Sequence, residues 1–140
     1  MNMNHERMES MKIIETKKAP AAIGPYSQAI VNGGLVYTSG QIPIDPASGS
    51  ITETTIEGQT EQVIRNLQAV LEEAGSGLDK VVKTTCFLSD IGNFATFNSI
   101  YAKAFTGNPA RSCVEVSALP KGALVEIEVI AVISEDYLGR

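Results

Sequence analysis

Apolar and polar positions alternate along this chain at two different periods. Residues 12–16, 80–88, 111–116 and 123–133 predict strands: the first is short, the second is rich in β-branched residues, and the last two show the period of two that is typical of half-buried strands. Asn32-Gly33 separates two further apolar runs and predicts a two-residue hairpin turn. Residues 41–50 (QIPIDPASGS) are rich in turn-forming residues and predict a second, smaller hairpin.

Two segments repeat their apolar positions at helical spacing and predict helices. Thr54 and Glu57 fit a capping box at the start of the first helix, which Gly75 ends. Asn93 is predicted to cap the second helix, which Gly107 closes. The apolar stripes comprise Val63, Ile64, Leu67, Val70, Leu71 and Ala74 in the first helix and Phe94, Phe97, Tyr101, Ala104 and Phe105 in the second. The order β, β-hairpin, α, β, α, β, β predicts an α+β domain with two helices on one face of one mixed sheet.

Composition fits one soluble globular domain. Of 140 residues, 44% are hydrophobic and 19% charged, so we expect a single domain over residues 12–140 after a flexible N-terminal tail, residues 1–11. No apolar stretch approaches the ~20 residues of a membrane span, and no secretory signal is present, so we expect a cytoplasmic protein. The net charge of -5 argues against nucleic acid as the main partner.

The histidine and cysteine content excludes several kinds of chemistry. The only histidine, His5, falls in the predicted tail, which removes Ser-His and Cys-His nucleophile pairs. Cys86 and Cys113 are far apart in sequence and cannot form a zinc site alone, and we expect both thiols to be reduced. Any reaction must then use Arg, Glu, Tyr, Ser, Asn, backbone groups and water.

Charged side chains interrupt two predicted strands. Arg111 shares a strand face with Cys113 and Glu115. In the last strand, alternate residues from 125 to 133 form an apolar face that should meet the helices. The reverse face carries Glu126, Glu128, Ile130 and Val132. Because that face is half charged and half aliphatic, we expect another copy of the chain to cover it, with the charged end lining an intersubunit cleft.

The residues alone leave these roles open. Arg111 could serve only as an interface ion-pair partner of Glu126 or Glu128. Asn98 points with the apolar stripe of the second helix, so it needs a hydrogen-bond partner, which could be a loop or a ligand. Cys113 has no basic neighbour in sequence and is better interpreted as an inert strand cysteine than as a nucleophile.

Several motifs in one order resemble the RidA family, the YjgF-type reactive-intermediate deaminases. They are APAAIGPYSQA, TSGQIPIDPASG, VVKTTCFLSDIGNFATFN and PARSCVEVSALPKGALVEIEVIAV, and the resemblance covers residues 12–134. It implies a chorismate-mutase-like α+β fold and a homotrimer with active sites between subunits. It also implies hydrolysis of 2-imino acids and their 2-enamino tautomers, such as 2-aminoacrylate, to 2-oxo acids and ammonium, with no metal or organic cofactor.

Matching motif to motif assigns roles to seven residues. The resemblance implies that Arg111 and Glu126 are catalytic: Arg111 binds the substrate carboxylate, and Glu126, on what we expect to be the neighbouring strand, relays a proton through water. The implied substrate-binding residues are Tyr26, Ser39, Gly40, Asn98 and Cys113, the last through its backbone. One departure concerns residues 106–108 (TGN), where many relatives carry a longer loop, so substrate size is less determined than reaction type.

Other functions remain open at this stage. The same clefts could bind 2-oxo acids or amino acids without turnover, as in a small-molecule sensor. Relatives are also described as endoribonuclease-type translation inhibitors, which the acidic charge and the lack of a usable histidine argue against. A chaperone-like interaction protein would leave the polar cleft unexplained.

Overall fold

The computed structural model describes residues 11–134. The predicted tail, apart from Met11, lies outside these residues. The strands are β1 (Lys12–Ile14), β2 (Ala29–Asn32), β3 (Leu35–Thr38), β4 (Ile44–Asp45), β5 (Ser50–Ile51), β6 (Val81–Leu88), β7 (Ala110–Glu115) and β8 (Val125–Val132). The helices are α1 (Ile56–Glu73) and α2 (Phe94–Ala104).

Six strands form one mixed sheet in the order β1-β2-β3-β8-β6-β7, and β4 and β5 form a separate small hairpin. Only β6 and β7 run parallel, because α2 connects them as a crossover. Both helices pack on the sheet, which confirms the predicted α+β arrangement. Within residues 11–134, neither helix is long and apolar enough to cross a lipid bilayer.

The ends of α1 follow the predicted pattern with a shift of one residue at the start. Thr55, and not Thr54, is the N-cap, and its hydroxyl accepts a hydrogen bond from the Gly58 backbone N–H at 3.0 Å. The predicted capping box at Thr54 is therefore wrong. Gly75 ends the helix as predicted, with φ +82°, and allows the N–H of Ser76 to bond back to the last turn.

The start of α2 differs from the prediction in its capping group. Asn93 occupies the N-cap position, but its side chain makes no capping bond. A 3₁₀ turn over Ile91–Asn93 precedes the helix, and Asp90 Oδ1 accepts from the Gly92 N–H at 2.8 Å. Capping therefore occurs three residues earlier than predicted, at Asp90.

The β2–β3 hairpin is confirmed, with its turn one residue later than expected. Asn32 pairs with Leu35, so the two turn residues are Gly33 and Gly34. Their φ values of +64° and +85° suit a turn that needs positive φ at both central positions.

The apolar face of β8 forms the centre of the core. Every alternate residue from Val125 to Ile133 is at most 3% exposed and packs under the helical stripes. The reverse face of the sheet is open: Ile13, Ile30, Tyr37 and Ile130 align in register across four strands, and Ile13 is 68% exposed. A single chain therefore leaves a large apolar sheet face in contact with solvent.

Candidate functional site

A bulge beside β8 places the first group of predicted site residues. The ladder between β3 and β8 breaks after Tyr37 and resumes at Gln41, whose backbone N–H and C=O both bond to Ile127, at 2.9 and 3.2 Å. Three residues of one segment thus lie opposite two of β8, and such a bulge re-aims the chain locally. Here it brings Gly40 against the side chain of Glu126.

Gly40 and Glu126 approach each other so closely that no other residue type fits without a shift. A Cβ at Gly40 would lie 2.9 Å from the carboxyl carbon of Glu126 and 3.1 Å from its Cγ. Ser39 is fixed in the same bulge, because its hydroxyl donates to the Ser27 carbonyl at 2.6 Å. The bulge therefore leaves no room for a side chain at residue 40 while the Glu126 carboxyl group keeps its position.

The protonation behaviour of Glu126 is altered by its surroundings. Partial burial raises the pKa of the Glu126 carboxyl above its ordinary value, and the negative charge of Glu128 raises it further. A carboxyl whose pKa moves toward neutrality exchanges protons more readily at physiological pH. Glu126 therefore keeps its proton to a higher pH than an ordinary glutamate does.

These residues line one cleft of about 430 Å³, which we call the acid cleft. Its predicted members are Tyr26, Ser39, Gly40 and Glu126. Tyr26 is 51% exposed and forms a wall of the cleft. Four of the seven predicted site residues therefore share one surface of the chain.

Two buried amides hold the loops around the acid cleft, and sequence analysis missed both. Gln28 is 3% exposed; its amide donates to the Pro20 carbonyl at 2.7 Å and accepts from the Thr16 N–H at 2.7 Å. Asn66 in α1 donates to the carbonyl of Ile44 at 2.9 Å. The available signal for Asn66 was its spacing, three residues after Val63 and four before Val70, which places it on the apolar stripe of the helix.

The second group of predicted residues surrounds Arg111 on β7. Its guanidinium donates to Asn98 Oδ1 at 2.7 Å, and its central carbon lies 4.7 Å from the Tyr101 ring centroid and 5.4 Å from that of Phe94. Asn98 therefore bonds to Arg111 and not to a loop. A cleft of about 410 Å³, which we call the cation cleft, opens beside the Arg111 and Asn98 side chains.

Cys113 lies half-buried two residues along β7 from Arg111. Burial raises the pKa of its thiol, and the nearby Arg111 charge offsets only part of that rise. Its register partner Cys86 is fully buried, with a pKa raised to about 12, mainly by burial. Both cysteines are therefore thiols at neutral pH, which favours the inert interpretation of Cys113.

The acid and cation clefts lie on opposite faces of the sheet. Arg111 pairs in register with Thr84, which is buried under the helices, whereas Glu126 pairs with Phe87 on the open face. Because β6 lies between β7 and β8, our expectation that Arg111 and Glu126 occupy neighbouring strands is wrong. Within one chain the Arg111 and Glu126 side chains therefore lie on opposite sides of the sheet.

A family model described as Endoribonuclease L-PSP matches residues 16–133. The chain belongs to this family. The solved structure of the Rid-family protein YyfA from Yersinia pestis is 60% identical, with a TM-score of 0.85, covering 88% of this chain and 99% of that one. The resemblance to RidA proteins seen in the sequence is thereby confirmed, together with the fold that it implied.

Curated relatives of this L-PSP/Rid chain carry different functional names. One from Lactococcus lactis, named as a candidate regulator, AldR, is 57% identical over 122 residues, covering 86% of this chain and 97% of the relative. A protein of Salmonella typhimurium named 2-iminobutanoate/2-iminopropanoate deaminase is 49% identical over 125 residues, covering 86% and 97%. Family membership thus includes proteins named as enzymes and others named for regulation.

Proposed function

We propose that this protein hydrolyses reactive 2-imino acids and 2-enamino acids, such as 2-iminobutanoate and 2-aminoacrylate, to 2-oxo acids and ammonium. The observation that carries the proposal is the set of contacts that the Arg111 guanidinium makes. Its described contacts are one amide oxygen and two aromatic rings, and they leave guanidinium donors facing an open cleft. Such a group is matched to the two oxygens of a substrate carboxylate.

The complete site would combine the cation cleft of one subunit with the acid cleft of another. Two observations support a shared site: the two clefts lie on opposite faces of one sheet, and the open face presents exposed apolar side chains. We propose a homotrimer, following the resemblance to the RidA family, with one such site at each subunit boundary.

The proposed reaction needs only orientation and proton transfer. Arg111 and the backbone at Cys113 hold the substrate as its iminium ion. Glu126 takes a proton from a water molecule as the water oxygen bonds to C2 and the C=N π electrons move to the nitrogen, which gives a neutral carbinolamine. Glu126 then gives this proton to the amine, and the C–N bond breaks with its electron pair leaving on ammonia. The carbinolamine hydroxyl forms the 2-oxo group, and its proton passes to the ammonia, which is released as ammonium. A 2-enamino acid enters the same sequence by gaining a proton at C3, which gives the iminium ion directly.

The test is to generate 2-aminoacrylate or 2-iminobutanoate in situ with a dehydratase and to time the release of 2-oxo acid. We expect the wild-type protein to accelerate release and Arg111→Ala to abolish saturable turnover. Cys113→Ser should keep most of the activity, because only its backbone is used. No acceleration by the wild-type protein at any concentration would refute the proposal.

A mixing experiment tests the shared site. Arg111→Ala and Glu126→Gln should each be inactive alone, but subunits co-expressed with different tags should regain activity when they assemble. Each site needs an intact Arg111 and an intact Glu126 from different chains, so random mixing should restore about a quarter of the wild-type activity. If mixed oligomers form and stay inactive, both residues are required from one chain and the shared site is wrong.

A second candidate is a non-catalytic sensor of 2-oxo acids or amino acids, favoured by the 57% identity to the candidate regulator AldR. Arg111 would bind the carboxylate in the same way. Saturable binding of a 2-oxo acid without any acceleration of imine hydrolysis would select this function. The name of the matching family model raises ribonuclease activity as a further alternative. RNA cleavage that copurifies with the protein and is lost in Arg111→Ala would favour that alternative.

A further inference from the structure

Tyr101 contacts Arg111 through its ring and the sheet through its hydroxyl. The guanidinium carbon of Arg111 lies 4.7 Å from the ring centroid, closer than to the ring of Phe94. The Tyr101 hydroxyl shares a buried hydrogen bond of 2.7 Å with the Thr84 hydroxyl. Tyr101 is 7% exposed and therefore belongs to the core and the cation cleft at once.

The ring of Tyr101 is itself held on several sides. It packs against Phe97 and Phe105, with centroid separations of 5.6 and 4.5 Å, and the bond to Thr84 fixes the far end of the side chain. A flexible arginine laid on a fixed aromatic face gains cation–π energy and loses much of its freedom to rotate.

We propose that Tyr101 is a positioning residue: its ring face sets the plane of the Arg111 guanidinium, and Asn98 sets its rotation within that plane. The remaining donors then point into the cation cleft in one arrangement. This inference rests on the proposed binding of a substrate carboxylate by Arg111. Tyr101 itself does not contact the reacting atoms, so its effect should appear in carboxylate binding.

The test separates the ring from the hydroxyl. Tyr101→Phe and Thr84→Val remove the buried hydrogen bond and keep the aromatic face, whereas Tyr101→Leu removes the face. The probe is 2-oxobutanoate, a stable 2-oxo acid, titrated calorimetrically against each full-length variant. We expect unchanged affinity in the two variants that keep the ring, and about fivefold weaker affinity with a similar rise in KM in Tyr101→Leu.

Val70→Ala in α1 is the control for lost stability, because Val70 is fully buried and lies in the other helix. If Tyr101→Leu binds 2-oxobutanoate as tightly as this control does, the positioning role is wrong. It is also wrong if Tyr101→Phe loses as much affinity as Tyr101→Leu, since the hydroxyl and not the face would then matter.

Nuclear magnetic resonance of the wild-type protein gives an independent readout, which holds even if Tyr101→Leu fails to fold. The Arg111 Nε–H signal should be shifted upfield by the ring and should show a high order parameter. A random-coil shift with fast motion would overturn the inference. Failure of wild-type protein to bind 2-oxobutanoate, with an ordered and shifted Arg111 signal, would instead refute the proposed carboxylate binding.

Discussion

Replacing Gly40 by alanine tests whether the contact between the bulge and Glu126 determines activity. The added Cβ would lie 2.9 Å from the Glu126 carboxyl carbon and 3.1 Å from its Cγ, with the Oε2 oxygen as its nearest neighbour. Ordinary carbon contacts need about 3.5 Å or more, so the carboxyl carbon must move by several tenths of an ångström and the nearer Oε2 oxygen by about 1 Å, or the group must rotate away.

Gly40→Ala should lower the activity much more than the stability. Overpacking a closed core costs about 1–3 kcal/mol of stability. We expect a loss at the lower end of this range, because the displaced carboxyl group is at the tip of the half-exposed Glu126 side chain. A misplacement near 1 Å of a proton-transfer group costs about 10²-fold in rate. We therefore expect kcat for imine hydrolysis to fall by about 10²-fold, with little change in 2-oxobutanoate affinity, because Arg111 is untouched.

The assays are steady-state imine hydrolysis, calorimetric titration with 2-oxobutanoate, and urea unfolding. Gly49→Ala is the matched control, because Gly49 has φ +74° and open space around it. It should lose about 1–2 kcal/mol of stability through backbone strain alone and keep full activity. The reasoning is refuted if Gly40→Ala keeps its kcat, or if its affinity for 2-oxobutanoate falls in step with its activity.

Two further predictions concern stability. Burial and Glu128 raise the folded-state pKa of Glu126, so the folded protein binds more protons than the unfolded chain between the ordinary and the raised pKa. Stability of the wild-type protein should therefore fall as pH rises through that window. Glu126→Gln should be more stable than the wild-type protein above the window and equally stable below it. Thermal unfolding of both proteins from pH 4 to 8 measures the difference, and a difference that does not change with pH would contradict the prediction. The Thr60 hydroxyl is buried and has no hydrogen-bond partner among the described residues. Thr60→Val should therefore raise the free energy of unfolding, measured in urea, by about 1 kcal/mol. A loss of stability in this variant would contradict the prediction.

Local periodicity was enough to predict the elements of this fold and the faces of its strands. The helical stripes and the apolar side of β8 are buried as expected, because a 3.6-residue or two-residue period determines which side of an element is apolar. The start of α1 was misplaced because Thr54 and Thr55 are both good caps. In the structure α1 begins at Ile56, which is 8% exposed and packs in the core, and a tertiary contact of this kind does not appear in the local pattern.

The relation between the two clefts could not be predicted in the same way. Alternation along a strand shows which residues of that strand share a face, but it does not show the order of the strands in the sheet. β6 is inserted between β7 and β8, although it precedes both in the chain. The buried amides of Gln28 and Asn66 were missed for a related reason, because their partners are backbone carbonyls of segments distant in sequence that only folding brings near.

Separating Arg111 from Glu126 within each chain has a chemical consequence for both groups. On one face of adjacent strands they would form an ion pair, which would occupy the guanidinium and lower the pKa of the carboxyl. On opposite faces, Arg111 keeps donors for a ligand, and the pKa of Glu126 stays above its ordinary value. In the shared site that we propose, a binding cation from one copy and a proton carrier from another can then contact opposite ends of a small substrate, and the substrate keeps the two charges apart.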